Sequence, residues 1–355
     1  MIVKDIEIFG NIEKGNDFIK RTQNKKFIFS FVISYTHTCE IPGITVAGAN
    51  SDLLKFTSAA DAEFLHYGYC KSINAIPMTP DGKPTPAILT KVALEAASIP
   101  SFIINAGSKI TPKLPYIELG LEPGKNIAQE PALDQDLTRK AVEHGRIIGR
   151  SLGSSTDCLV IGESIPGGTT TALGVLRGLG LQASVSSSMP QNPIDLKNQT
   201  VETALKRLQS RDPYDIVTQL GDPMIPSIAG ILSTASESTN VILAGGTQMA
   251  AVLAFAKHVG FNENNVAIGT TSYIIDDNTA NLVEMVRHIL DIPIFAVKLK
   301  LGESKISGLH SYAEGFVKEG AGAGGASISC MLKTGLDSER LLSLTENEYR
   351  RITSR

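Results

Sequence analysis

Short apolar runs alternate with longer stretches in which apolar residues recur at helical spacing. Lys26 to Ser34 is rich in β-formers and predicts a strand. Ser101 to Asn105, Cys158 to Ile161, Asn240 to Ala244, Val266 to Gly269 and Pro293 to Lys298 predict further short strands. Helices are predicted over Ser51 to Tyr67 (interrupted near Thr57-Ser58), Ala87 to Ala97, Thr138 to Leu152, from about Thr169, and over Val201 to Gln209. More follow over Ser227 to Ala235, Gln248 to Val259, Asn281 to Leu290 and Ser327 to Leu332. Such alternation implies an α/β fold, a doubly wound and mostly parallel sheet with helices on both faces. Met78 to Pro86 is turn-rich, Gln191 to Gln199 irregular, and Gly315 to Lys318 a strand or turn. Residues 108–136, with Pro112, Pro115, Pro123 and Pro131, suggest an extended segment that crosses the molecule, with the site as one place it could cover. Asp61 and Glu63 sit among apolar residues and read as solvated or dipole-paired acids, not catalytic ones.

One strand leads into a turn with chemical content. After Cys158 to Ile161 come Gly162-Glu163, then Ile165-Pro166-Gly167-Gly168, then Thr169-Thr170-Thr171 at a helix start. Adjacent glycines permit positive φ and leave backbone N–H groups uncovered. The first N–H groups of a helix have no partner within it, so they attract a phosphate or carboxylate. The stretch reads as an anion cradle at the carboxyl edge of a parallel sheet. The plainer reading is a strand-to-helix turn with a threonine cap. It is neither a Walker loop nor a Gly-x-Gly-x-x-Gly fingerprint. Gly245-Gly246-Thr247 repeats the pattern after the next strand, and two such turns on neighbouring strands would aim two helix starts into one crevice, as a phosphate and a ribose require.

Near the carboxyl end, Lys318-Glu319-Gly-Ala-Gly-Ala-Gly-Gly-Ala-Ser327 presents one acid on a glycine-rich turn. A carboxylate among apolar groups has its pKa raised and becomes useful as a general base. Alternatively, Glu319 caps or salt-bridges a helix end while Gly320 to Gly325 permit close packing. Residues alone favour neither.

Composition narrows the classes. With 355 residues there is ample length for a large core, and a net charge of −3 leaves no electrostatic footprint for nucleic acid or an anionic membrane. Trp is absent, which argues against a base-stacking surface. Cys39, Cys70, Cys158 and Cys330 are widely spaced and read as reduced thiols. His37, Cys39 and Glu40 lack a second cluster, so no metal is expected. The charged start (Met1 to Glu7) does not resemble a signal sequence, and no apolar run reaches the roughly 20 residues of a membrane span. A soluble cytoplasmic protein is expected.

Gly162-Glu163-Ser-Ile-Pro-Gly-Gly-Thr-Thr-Thr-Ala172, Leu220-Gly-Asp-Pro223, Leu243-Ala-Gly-Gly246 and Glu319-Gly-Ala-Gly-Ala323 together resemble the nicotinate-nucleotide:dimethylbenzimidazole phosphoribosyltransferase family, in its archaeal branch. Gly48-Ala-Asn-Ser and Thr57 to Glu63 are similar to that branch, less specifically. The resemblance implies a Rossmann-like main domain (27–320), a smaller, mainly helical domain from 1–26 with 321–355, and a homodimer without cofactor. It implies two small-molecule substrates, nicotinate mononucleotide and an aromatic base of benzimidazole type, and a product for cobamide synthesis inverted at C1′. Glu319 falls on the catalytic glutamate. Glu163, Gly167, Gly168, Thr169, Thr170, Gly245, Gly246, Thr247 and Gly320 fall on substrate-binding segments. Bacterial members have Gly-Asn-Thr-Thr at the cradle and an Asp-His loop after the first strand, where this chain has Gly168-Thr-Thr-Thr171 and Thr36-His-Thr38. A transferase for another base, or a non-catalytic nucleotide-binding protein, stays open.

Overall fold

The apolar runs line up as one sheet. In the computed structural model, which describes residues 4–47, 50–78 and 83–354, eight strands are seen. They are β1 (Ile6–Gly10), β2 (Phe27–Ile33), β3 (Ser101–Asn105), β4 (Ile117–Glu118), β5 (Cys158–Ser164), β6 (Asn240–Ala244), β7 (Val266–Thr271) and β8 (Pro293–Val297). Their spatial order is β1-β8-β7-β6-β5-β2-β3-β4, parallel throughout except for antiparallel β1. Strands buried on both faces are apolar almost without interruption. In β2, Phe27, Phe29, Phe31 and Ile33 enter one core while Ile28 and Val32 enter the other; Cys158 and Val160 oppose Leu159 and Ile161 in β5 in the same way.

Helices of eight or more residues among those described are α1 (Ile12–Thr22), α2 (Thr57–Tyr67), α3 (Ala87–Ala96), α4 (Gln135–Gly153), α5 (Gly168–Gly178) and α6 (Ile194–Leu205), then α7 (Pro213–Leu220), α8 (Met224–Ala235), α9 (Thr247–Val259), α10 (Leu282–Ile289), α11 (Ala323–Thr334) and α12 (Ser338–Thr353). Val142, Leu176, Ile228, Leu253 and Met285 bring α4, α5, α8, α9 and α10 into one core. Phe18, Phe64, Leu89, Ile328 and Leu341 bring α1, α2, α3, α11 and α12 into the other. The sheet is therefore doubly wound. From β2 the chain moves to β3 and β4 on one side; from β5 it moves to β6, β7 and β8 on the other. The order reverses between β2 and β5, and open α/β sheets bind ligands beyond the carboxyl ends of strands at such a point.

Residues 1–26 and 321–355, expected to form a smaller unit, touch one another: Asn24 N donates to Leu332 O at 3.0 Å and Ser338 N to Asp5 Oδ2 at 3.0 Å. Both also join the main body. β1 extends the sheet beside β8, and α11 packs on β5 to β8.

Several local expectations are corrected. The stretch predicted irregular over 191–199 contains the first turns of α6, where Lys197, Thr200, Val201 and Ala204 form a buried stripe that overrides weak local propensity. Helix α11 starts at Ala323, four residues before the predicted Ser327. Its glycines are disfavoured in an isolated helix, but a Cβ on Gly325 would collide with the Ala244 side chain, so close packing on β6 demands them. Residues 108–136 start along the β3 edge, where Ile117 pairs with Ile104, and do cross the molecule. They pass the loop after β2, where His37 N donates to Gly124 O, and reach α7, where Leu133 N donates to Thr218 O, but they do not line the site. Asp61 and Glu63 are buried, not solvated. Glu63 accepts from the N–H groups of Lys71, Ser72 and Lys113 at 2.6–2.7 Å, tying loops together.

Candidate active site

Beyond the switch point lies a cavity of about 190 Å³. One wall is the β5 turn. Glu163, Ser164, Ile165 and Pro166 lead to Gly167, whose φ of +77° marks the cap of α5. A Cβ there would stand 2.7 Å from the Cys39 Cβ, so only glycine fits both the angle and the space. Gly167, Gly168 and the part-exposed Thr169 line the cavity. Thr170 and Thr171 turn inward. Thr171 Oγ1 donates to Asp222 Oδ2, while the buried Thr170 Oγ1 has no partner among the described residues. Asp222 also accepts from Met224 N (3.0 Å) and Ile225 N (3.1 Å), which caps α8 and explains the Leu220-Gly-Asp-Pro223 stretch.

The second glycine turn contributes less. Gly246 lines the cavity, and so does Gln248, whose side chain lies beside Gly168. Gly245 is instead held to β7, its N–H donating to Gly269 O at 2.9 Å. Thr247 Oγ1 accepts from Ser186 N at 3.2 Å, fastening the Ser186–Ser188 wall.

Glu319 stands at the mouth of α11, facing the same cavity as the β5 turn, with Gly320 beside it. It is part-exposed, and what it is exposed to is that cavity. Oε2 accepts from Thr271 N at 2.9 Å and Oε1 from Gly324 N (3.1 Å) and Gly320 N (3.2 Å). The carboxylate thus both caps a helix and lines the hollow. Desolvation pushes its pKa up to about 7, partly offset by the N–H donors of Gly324, Gly320 and Thr271. A group so poised accepts a proton near neutrality.

Three acids, Glu319 among them, lie within electrostatic reach of Glu163. Burial lifts Glu163 to about 8, with the charges of Asp222, Glu319 and Asp61 adding to the effect. Burial likewise raises Asp61 and Asp222 to about 6, against the pull of their hydroxyl and N–H donors. Asp61 accepts from Thr85 Oγ1 and Ser164 Oγ, both at 2.7 Å, and lines the cavity. Ile44, Val46, Phe56, Ile76 and Met78 form an apolar wall suited to an aromatic ring.

Of the residues singled out in the sequence, Glu163, Gly167, Gly168, Thr169, Gly246, Glu319 and Gly320 meet at the cavity; Thr170, Gly245 and Thr247 support it from behind. Asp61, Gln248, Ser186 to Ser188 and the apolar wall were missed. The serine triplet and a glutamine adjoining a Gly-Gly-Thr turn were the available signals. Gly48 and Ala49 of the Gly48-Ala-Asn-Ser pattern lie outside the described residues. His37 pairs with Glu40 at 3.0 Å and Cys39 packs on Gly167. No helix among the described residues is long and apolar enough to cross a membrane.

A doubly wound sheet whose switch point holds a glycine–threonine helix start opposite a neutral-range carboxylate is suited to an anionic ligand and to proton transfer beside it. Residues 95–305 match the model of the phosphoribosyltransferase family DBI_PRT, and the chain belongs to that family. Within it the chain falls in an archaeal branch. It is 47% identical to the UPF0284 protein of Archaeoglobus fulgidus, over 91% of this chain and 93% of that one. It is 45% identical to the UPF0284 protein of Sulfurisphaera tokodaii, over 94% and 95%. In fold it is similar to the nicotinate-nucleotide–dimethylbenzimidazole phosphoribosyltransferase of Thermus thermophilus, with a TM-score of 0.61 at 18% identity over 92% of this chain and 88% of that chain. A second structure, CobT from the same organism, gives 0.58 at 18% identity, over 92% and 89%.

Proposed function

We propose that the enzyme transfers ribose 5-phosphate from nicotinate mononucleotide to a benzimidazole-type base in cobamide nucleotide-loop synthesis, with inversion at C1′. The observation that carries this reading is the shared cavity: Glu319, with a pKa near 7, faces the Gly167–Thr169 helix start across an apolar-walled hollow. The helix start and the Ser186–Ser188 wall hold the 5′-phosphate and ribose, and Ile44, Val46, Phe56 and Met78 hold the aromatic base. The unprotonated ring nitrogen of the base attacks C1′ while the N–H proton of its other ring nitrogen passes to Glu319. The C1′–nicotinate bond breaks with its electron pair returning to the pyridinium nitrogen, so nicotinate leaves without an acid. Attack from the opposite face gives the α-linkage. Gly320 positions the carboxylate through its N–H, and Glu163 lines the nucleotide side of the cavity. A homodimeric, cytoplasmic enzyme belongs to the same reading, and sedimentation of the purified protein checks the dimer.

Glu319→Gln should lower kcat by about 10²–10⁴-fold while the nucleotide Kd stays within about 3-fold. Nicotinate release measured over a panel of bases gives the rate and the preferred base together. Because a base must be ionised, kcat/KM should fall as pH drops through about 7. A second reading has its own support, since Gly324 N caps onto Glu319. If the carboxylate serves α11 alone, the glutamine variant loses stability and keeps its turnover.

A further inference from the structure

Glu319 hangs from a turn that its own residues disfavour. Val317 and Lys318 have φ of +62° and +50°, and Ala321 has +50°. A β-branched residue in the left-handed region is strained, and the conformation persists only where its surroundings over-determine it.

Those surroundings are specific. Val317 N donates to Ser188 O at 2.8 Å, and Thr271 Oγ1 donates to Lys318 O at 2.6 Å. The Lys318 side chain runs inward, and its Nζ donates to Asp277 Oδ2 at 2.8 Å, the two side chains only 7% and 4% exposed. Asp277 Oδ1 accepts from Thr279 N (3.0 Å) and Thr279 Oγ1 (2.6 Å). Asn192 Nδ2 donates to Thr279 Oγ1 (2.9 Å) and to Val185 O (2.8 Å). Lys197 Nζ donates to Asn192 Oδ1 (3.0 Å) and to Ser186 O (2.7 Å). A largely enclosed circuit, buried at Lys318, Asp277 and Lys197 and part-exposed at Asn192 and Thr279, therefore joins the Glu319 turn, the Asp277 loop after β7 and the Ser186–Ser188 wall. Neither Lys318 nor Asp277 lines the cavity.

A buried ion pair is weak evidence of stabilisation, since an apolar pair of similar volume often serves the fold as well. What an ion pair adds is a fixed distance and direction. We infer that Lys318 and Asp277 are positioning residues: their buried contact holds the strained Val317–Lys318 turn and thereby sets where the Glu319 carboxylate stands in the cavity. This inference rests on the proposal that Glu319 is the base.

The test compares Lys318→Met, the double variant Lys318→Met/Asp277→Asn and the conservative Lys318→Arg. The double variant removes both charges and lets position 277 still accept from Thr279, so it remains informative if the single methionine variant fails to fold. With nicotinate mononucleotide and dimethylbenzimidazole, the methionine variants should lose about 10²-fold in kcat, the scale of a 1 Å misplacement, with nucleotide KM within about 3-fold. Lys318→Arg should recover much of that loss. Amide exchange supplies a readout that needs no turnover. The N–H groups of Thr271 and Gly324, which donate to Glu319, should exchange faster in the methionine variants and at the native rate in Lys318→Arg. A folded double variant with native kcat and native protection overturns the inference; so does a loss of activity that merely follows the folded fraction. If the unaltered protein transfers nothing from nicotinate mononucleotide, the proposed function fails, and the exchange rates alone then decide the role of the pair.

Discussion

Two turns with the same three residues, Gly167-Gly168-Thr169 and Gly245-Gly246-Thr247, do different work. The first follows β5 through Ile165-Pro166 and caps α5 with a left-handed glycine, so its helix start opens into the cavity. The second joins β6 to α9 with only Gly245 and Gly246 between them; Gly246 has φ −97°, and the threonine is buried against Ser186. The longer connection brings Gly167, Gly168 and Thr169 all to the cavity, whereas the shorter one lends it Gly246 and Gln248 and keeps Gly245 and Thr247 within the scaffold. Charge differs as well: β5 delivers the buried acid Glu163, where β6 delivers Leu243 and Ala244. A local motif thus states what a turn can do, and its distance from the strand decides which of its residues reach the cavity.

Substitutions can break this contrast. Gly167→Ala forces a side chain into positive φ and against Cys39, and should destabilise by about 2–4 kcal/mol in denaturant titrations. Gly245→Ala meets only the flexible Met249 side chain at 3.0 Å and should cost under about 1 kcal/mol. Equal costs would show the two turns to be equivalent.

Glu163→Gln tests the charge difference. The folded protein raises Glu163 to about 8 from 4.5, so across that window it keeps a proton that the unfolded chain has released. Stability from this group is present at low pH and is lost as pH rises through about 8. The glutamine variant should therefore gain up to about 4 kcal/mol relative to the native protein between pH 5 and pH 9. A difference flat in pH would remove the buried acid from the account.

The smallest effects come from the threonines, and they should fall on opposite measurements. Thr247→Val loses its contacts with Ser186 and should cost about 1 kcal/mol of stability. Thr169→Val should leave stability within about 0.5 kcal/mol and weaken nucleotide binding by about 10-fold, read by calorimetry. If both valines act on stability alone, the first turn is not a ligand site.

Much of this was legible in sequence. Runs such as Phe27 to Ile33 and Cys158 to Ile161 announced strands because a sheet covered on both faces requires apolar residues at every position. The Gly167–Thr169 start and Glu319 were legible because positive φ and an isolated acid in a glycine run are rare enough to carry meaning. Asp61 was not legible. Helix α2 shows two acids among alanines, and only its docking beside Thr85 and Ser164 turns one of them into a buried cavity wall. The early start of α11 was hidden for a related reason, since glycine's poor helix propensity says nothing about a strand packed against it.

By itself, the sequence determined six of the eight strands described, nine of the twelve longer helices, their alternation and the chemical types available, because hydrophobic period and backbone freedom are local properties of the chain. Only the tertiary structure decided which residues of two identical motifs face the hollow, which acids lose water and gain protons, and that Lys318 would be buried beside Asp277. Desolvation and distance depend on residues far apart along the chain, and no local window contains them.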